Sequence, residues 1–413
     1  MLSERIATNP TQWHLLTQQV SDLDQWLLAS PIYHLSTPVA LSAMGEVIEA
    51  IVNNNDGLTL TISDDGRYYT AHTRPAILSR CFEVIPVSEH TDEAHHQALA
   101  QIRASFGQLS SPVLFIAFTT NNASISRFCF LIHHTVADRQ SMILLTNELF
   151  HRLAQLKHDR PRHPEITRSS FIRHLQQNFS LCSQPRSPHR QASKPMMAGL
   201  NQETETRAVS FRFHSPDYEL KLAISLGLGL EETLMSVLAM AYYDTFGQPE
   251  FEFELVCSGR RQQQQQQQEI VGWLSQTCQL SLIAQADLNA TAQVNRQEID
   301  KAMLLDPRQM PASAPANRVL NIIDRGKNQF DYQGLVAEVP TPTGLPNFGD
   351  QSQRIYALGI GVILSASSLT IQLDYAKQNK TALQIIPFLH RIQQNMATEL
   401  ASIVTPCSET PSD

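Results

Sequence analysis

The chain has 413 residues, 42% of them hydrophobic and 17% charged, with a formal net charge of −8; that length exceeds what one hydrophobic core usually serves, so two domains of about 150–200 residues each are expected. The acidic balance offers no basic face for nucleic acid or an anionic membrane surface. No apolar run reaches the ~18 residues of a membrane-spanning helix, and no N-terminal segment reads as a signal peptide, so a cytoplasmic location is expected.

Apolar residues recur at helical spacing from Thr11 to about Leu28, and Val47–Val52 ends a second amphipathic helix that Asn53-Asn54-Asn55-Asp56-Gly57 stops. Leu58–Ile62 alternates, turns at Ser63-Asp64-Asp65-Gly66 and returns through Arg67–Thr70, a hairpin pattern. A helix over about Asp92–Phe106 follows, whose His95-His96 pair is expected on its exposed surface. Pro112–Thr119 and Ile125–His133 then read as an antiparallel pair. From about Lys157 to Arg207 the pattern fades into Pro, Ser, His and Arg, apart from a short amphipathic piece at Ser170–Phe179, and this is the candidate linker. Beyond it come a strand at Ala208–Phe213, a helix at Glu231–Phe246 ended by Gly247, and a strand at Phe251–Cys257. A helix at Ala292–Leu304 and strands at Arg318–Ile323, Ile355–Ser365 and Leu369–Tyr375 follow, and a helix over Thr381–Ile403 closes the chain. Strands joined mainly by turns favour α+β layers over a doubly wound parallel sheet. Gln262–Gln268 is a low-complexity run, expected as a solvated loop of indifferent length.

The apolar run Phe128–Ile132 ends in His133-His134-Thr135-Val136-Ala137-Asp138, and a helical pattern starts at Gln140. Two imidazoles and a carboxylate at a strand-loop-helix junction suit a near-neutral base whose loop the carboxylate braces. Alternation along a strand sends His133 and His134 to opposite faces, so one is expected to be catalytic and the other structural. A metal site is the rival reading, disfavoured because neighbouring histidines on opposite faces chelate one ion poorly and no Glu-xx-His or His-x-His set lies nearby. The six cysteines (Cys81, Cys129, Cys182, Cys257, Cys278, Cys407) are scattered without CxxC spacing, which fits a reducing compartment and no zinc or disulfide framework.

His133-His134-xxx-Asp138 resembles the HHxxxDG motif of the condensation domains of nonribosomal peptide synthetases and of related acyltransferases with the chloramphenicol-acetyltransferase fold. Weaker matches occur in the family's order. Asn55-Asp56-Gly57-Leu58-Thr59-Leu60 looks like its "HDALRLRF" segment, and Leu255-Val256-Cys257-Ser258-Gly259-Arg260 like "LEGHGRE". Ile270-Val271-Gly272-Trp273-Leu274-Ser275 resembles "VGWFTS", followed by Cys278–Leu282 for "YPVRL", and Arg318–Ile323 sits where "FNYLG" is carried. The resemblance implies a V-shaped pseudo-dimer of two chloramphenicol-acetyltransferase-like α+β lobes, with the active site in a tunnel at their junction. Residues 1–170 would form the N-terminal lobe carrying the motif, 171–206 the linker and 207–413 the C-terminal lobe.

By the same resemblance His134 is the catalytic residue, and His133, Asp138 and Arg260 support it. Asp138 would hold the loop through a salt bridge, with Arg260 the candidate partner ahead of Arg67 and Arg139. Gly272, Trp273, Ser275 and Asn321 are candidate channel residues. Arg139 replaces the motif's Gly: it would bind a phosphate of pantetheine or CoA, narrow the channel, or face solvent on the first helical turn. Thr59 replaces an arginine, and Val256 and Ser258 replace the Glu and His of "EGHGRE"; loss of that Glu disfavours an epimerase.

The implied activity is transfer of an acyl group from a carrier-protein phosphopantetheine thioester to an amine or hydroxyl in natural-product biosynthesis. No metal or redox cofactor is implied. With no adenylation motif or carrier attachment serine, a free-standing monomer that meets its acyl or peptidyl carrier protein in trans is expected, the basic residues Arg160, Arg162, Arg168, Arg173, Arg186, Arg190 and Lys194 offering a docking charge. The alternatives are a CoA-dependent O-acyltransferase of a lipid or alcohol, and a catalytically degenerate carrier-protein-binding member.

Overall fold

A computed structural model of the protein describes residues 5–8, 26–63, 66–87, 91–106, 111–120, 124–158, 168–179, 204–215, 217–219, 221, 227–260, 269–304, 317–324, 336–339, 356–365, 367–376 and 382–407. Two compact units emerge: Met1–Pro188 with Ser258–Ser275 and Phe330–Ser352, and His189–Cys257 with Gln276–Gln329 and Gln353–Asp413.

In the first unit a mixed sheet runs in the order Val336–Val339, Ile32–Ala40, Ser124–His133, Val113–Thr119, Phe82–Pro86. Only the last pair is parallel. Leu27–Ala29 pairs with the far end of Ser124–His133, Leu27 opposite His133. Pro31 has no N–H to give the ladder, and the break beside it is bridged by Ser30, whose N–H donates to the Phe130 carbonyl while its hydroxyl accepts from the Phe130 N–H, both at 2.9 Å. Val113–Thr119 is buried throughout because both faces of the sheet are covered. Val113, Phe115, Ala117, Phe128, Phe130 and Ile132 join the core that includes the helices Leu41–Asn54 and Arg139–His158. The alternate residues Leu114, Ile116, Phe118, Cys129 and Leu131 meet Leu99 and Ile102 of the Asp92–Ser105 helix. A second, antiparallel sheet joins Arg5–Ala7, Tyr68–Ala71 and Leu60–Ile62.

In the second unit seven strands run in the order Gln276–Ile283, Glu250–Cys257, Arg318–Asp324, Leu358–Leu364, Ser368–Ala376, Thr204–Phe213, Val404–Pro406. Arg318–Asp324 is parallel to both neighbours and the other pairs are antiparallel. Leu358, Ile360, Val362 and Leu364 alternate into a core shared with the helices Leu230–Phe246, Leu288–Leu304 and Ala382–Glu399. Gly247 ends the first of these helices at φ 67°, a left-handed position that glycine fills without strain.

The α+β architecture is thus the one expected, with differences in detail. Leu27–Ala29 is a strand at the end of the stretch read as the Thr11–Leu28 helix, whose residues 11–25 lie outside the described ones. His95 is fully buried, edge-on to Phe118 and with Nδ1 3.2 Å from Arg127 Nη1, instead of exposed on its helix. Phe171–Asn178, placed by sequence in the linker, is a helix of the first unit: Phe171 and Leu175 are completely buried in its core, and Asp56 accepts from the Phe171 N–H and the Ser170 hydroxyl. Residues 258–275 and 330–352, inside the sequence-drawn C-terminal lobe, also belong to the first unit. The basic positions 160, 162, 186, 190 and 194 and the run Gln262–Gln268 lie outside the described residues.

Candidate active site

The Ser124–His133 strand ends in a tight turn closed by the Val136 N–H on the His133 carbonyl at 3.0 Å, and the Arg139–His158 helix begins at once. Asp138 is the cap of that helix, its Oδ1 accepting from the Ser141 N–H at 2.9 Å and satisfying a donor with no intrahelical partner. The same carboxylate is fully buried and clamped from the Ser258–Ser275 segment. Arg260 donates Nη1 to Oδ2 at 2.6 Å and Nη2 to Oδ1 at 2.9 Å, a bidentate pair. Oδ2 also accepts from the N–H groups of Leu274 (3.0 Å) and Ser275 (3.1 Å) and from the Ser275 hydroxyl (3.2 Å). Burial pushes the Asp138 pKa up, but the charge and hydrogen bonds of Arg260, with those of Ser141, outweigh it and hold the carboxyl below its ordinary value.

Ser141 ties the two segments a second time. Its hydroxyl lies within donor distance of both Asp138 Oδ1 and the Gly272 carbonyl, each at 2.8 Å, and accepts from the Gly272 N–H at 3.0 Å. Arg260 Nη2 reaches the carbonyls of Ile270 (3.0 Å) and Gly272 (3.2 Å). Arg67 and Arg139, the other candidate partners, are both exposed.

The two histidines have different surroundings. His133 is buried, and its Nδ1 accepts from the Thr135 N–H at 3.3 Å and lies 2.6 Å from the Thr135 hydroxyl; accepting there makes Nδ1 the unprotonated nitrogen. The Tyr69 hydroxyl donates to the Thr135 carbonyl, so the hairpin braces the same turn. His134 is partly exposed, and its ring is packed by two indoles: Trp26 with centroids 4.6 Å apart and planes tilted by 30°, and Trp273 at 5.2 Å. The indoles meet edge-on at 4.8 Å. Trp26 is placed by the pairing of Leu27 with His133 and by the bond from the His134 N–H to its carbonyl at 2.8 Å. Burial lowers the His134 pKa; the backbone of His134 itself and of Ala137 and the Asp138 carboxylate favour the cation without reversing that shift. None of them meets hydrogen-bond geometry at Nδ1, which is buried without a hydrogen-bond partner among the described residues.

The structure therefore gathers His133, His134, Asp138, Arg260, Gly272, Trp273 and Ser275 into one unit. Ser275 binds the Asp138 carboxylate rather than lining open space. Gly272 is buried against Phe171, whose ring would lie 2.2 Å from a Cβ at that position, so its lack of a side chain serves packing. Asn321, on the Arg318–Asp324 strand, belongs to the second unit. Arg139 is the exposed first residue of its helix. Thr59 is buried, its hydroxyl closing a turn on the Asp56 carbonyl at 2.7 Å. Sequence reading missed Trp26 and Ser141. Ser141 stands three residues after a capping Asp, a readable helix-start signal, whereas nothing local marks Trp26. Among the described residues no group of three or more His, Cys, Asp or Glu could hold a metal ion, and no helix is long and apolar enough to cross a membrane.

No protein-family model and no curated protein matches the sequence. Solved structures do match, and the fold they share with this chain is that of condensation domains and their epimerization relatives. The epimerization domain from the third module of tyrocidine synthetase B superposes with a TM-score of 0.77 at 16% identity, covering 97% of this chain and 98% of that one. A condensation domain of the enacyloxin polyketide synthase gives 0.67 at 15% identity, over 100% of this chain and 86% of that one. The starter condensation domain of rhizomide synthetase, solved as a mutant, gives 0.66 at 15% identity, over 97% and 96%.

Proposed function

We propose that this protein is a condensation-type acyltransferase in which His134 accepts the proton of an amine or hydroxyl as that nucleophile attacks a thioester carbonyl. The observation that carries this reading is the state of His134: a partly exposed imidazole beside a rigidly clamped Asp138, with its pKa lowered by burial. A depressed pKa keeps the ring neutral, and so able to accept a proton, at and below neutrality. In this scheme the enclosed Nδ1 carries the proton of the neutral ring and Nε2 the lone pair. Asp138 is a brace in this scheme, since its oxygens are taken up by Arg260, Ser141, Leu274 and Ser275. In balance, the nucleophile adds to the thioester carbon, Nε2 takes its proton, and collapse of the tetrahedral adduct expels the thiolate, which takes the proton back.

The donor in this reading is an acyl group on the phosphopantetheine of a carrier protein, delivered in trans, and the product an amide or ester. CoA is the second donor to test, because a starter condensation domain of similar fold was solved in complex with C8-CoA. Epimerisation is the third outcome, since a domain of that activity shares the fold. Against it stands Val256, at the position matched to the family's second acid/base Glu, a side chain with no proton to move.

The experiment offers one acyl group on a carrier protein and on CoA with a panel of amines and alcohols, and follows intact mass. Transfer that falls about 10²–10⁴-fold in a folded His134→Ala variant supports the reading. Unchanged transfer by that variant overturns His134 as the base, and loss of α-hydrogen configuration without transfer overturns the reaction class.

A further inference from the structure

Cys257 is the last residue of the Glu250–Cys257 strand, and Cys278 is the third of the antiparallel Gln276–Ile283 strand. The register sets Cys257 opposite Gln276 and Cys278 opposite Leu255, so the cysteines are diagonal neighbours on one face. Their sulfurs are 3.6 Å apart, in contact but unbonded. Diagonal neighbours lie about 7–8 Å apart, just beyond the ~7 Å that a disulfide spans without backbone movement, so closure requires the backbone to shift at Cys257, where its strand ends and the exposed Ser258 follows. Cys278 is buried while Cys257 is half-buried, which gives a small oxidant an approach.

The pair is also chemically polarised. A hydrogen bond from Cys257 favours the thiolate at Cys278 and lowers its pKa, whereas that bond and burial raise the pKa of Cys257. A sulfur whose thiolate form is favoured, beside a second thiol, is the arrangement from which disulfides form. Cys81 and Cys129 differ: both are buried, and burial pushes the Cys81 thiol up to about 11 and that of Cys129 further still.

We propose that Cys257 and Cys278 form a reversible disulfide that closes the neck of the Ser258–Ser275 segment. The oxidant is a small peroxide. The Cys278 thiolate attacks one peroxide oxygen to give a sulfenic acid, and the other oxygen leaves as hydroxide and is protonated to water. The Cys257 sulfur then displaces the sulfenic oxygen, which departs as a second water with the Cys257 proton. Two thiols and one hydrogen peroxide thus become one disulfide and two waters. The bond joins the two ends of the segment that supplies Arg260, Leu274 and Ser275 to Asp138, so those groups stay tethered when the clamp opens transiently.

The test treats the full chain with hydrogen peroxide, blocks remaining thiols and maps peptides without reductant. The expected result is a Cys257–Cys278 cross-linked peptide, lighter by two hydrogens than its parts and lost on adding dithiothreitol, with a Tm for the oxidised protein several degrees above the reduced one. Cys257→Ser and Cys278→Ala each abolish the cross-link and the Tm difference, and Cys407→Ser leaves both. Recovery of the two cysteines as blocked thiols, as separate sulfinic acids, or in a cross-link between chains overturns the proposal, and because wild type alone gives this readout, a poorly folding variant does not weaken it.

Discussion

Replacing Asp138 by Ala strips Arg260 of its counter-charge while leaving the guanidinium almost wholly buried. An unpaired buried charge costs about 3–5 kcal/mol, a large part of a typical domain's stability. Asp138→Ala is therefore expected to lower the urea midpoint sharply and to reduce soluble yield. A soluble variant of wild-type midpoint contradicts the clamp. In the proposed reaction His134 sets the pH dependence of rate instead. Its pKa is lowered, chiefly by burial, so the neutral base persists below the ordinary histidine value of about 6.5. As pH falls, the rate is then lost only on passing that lower pKa, and the acid limb of kcat lies below the range of an exposed histidine. A limb above it, measured with a substrate that does not titrate there, excludes His134 as the base.

At the scale of elements, one contact decides whether the Phe171–Asn178 helix and the Ser258–Ser275 segment fit together. A Cβ on Gly272 would meet the Phe171 ring at 2.2 Å, far inside van der Waals contact. Overpacking of this kind costs about 1–3 kcal/mol, so Gly272→Ala is expected to destabilise and Phe171→Leu to recover part of the loss. Strict additivity in the denaturation cycle removes the explanation. Elements of both units show where sequence was readable. The Glu231–Phe246 pattern ending at Gly247 became the Leu230–Phe246 helix because a left-handed glycine stop is a local signal. His133-His134 and Asp138 were equally visible, since strand, turn and cap are contiguous. Trp26 was not, because its place beside His134 depends on Leu27 pairing with His133. The Phe171–Asn178 helix was misplaced in the linker because its core contacts, from Asp56 to Val271, are distant in sequence. His95 misled for a similar reason, its partner Arg127 arriving from the Ser124–His133 strand.

Across the whole molecule, the first unit is discontinuous: it takes back Ser258–Ser275 and Phe330–Ser352 after the chain has entered the second. A fragment ending at Pro188 lacks Arg260 and the Val336–Val339 edge strand, leaving Asp138 without its cation and Ile32–Ala40 with an unpaired edge. That fragment is expected to aggregate or remain unfolded by circular dichroism, although it carries both histidines. A cooperative, soluble 1–188 would show that the returning segments are dispensable.

The bond from Arg260 Nη2 to the Ile270 carbonyl has a consequence for the length of the loop between them. It fastens together the two residues that flank Arg261–Glu269, where seven consecutive glutamines stand. Arg260 and Ile270 are held together by this bond, and for a flexible insert, closing a loop of twice the length costs only about 0.6 kcal/mol more. A chain with the glutamine run doubled is expected to keep its urea midpoint within that margin, and its rate in the proposed reaction unchanged. Gain or loss of glutamines in this tract would then leave the Arg260–Asp138 clamp intact.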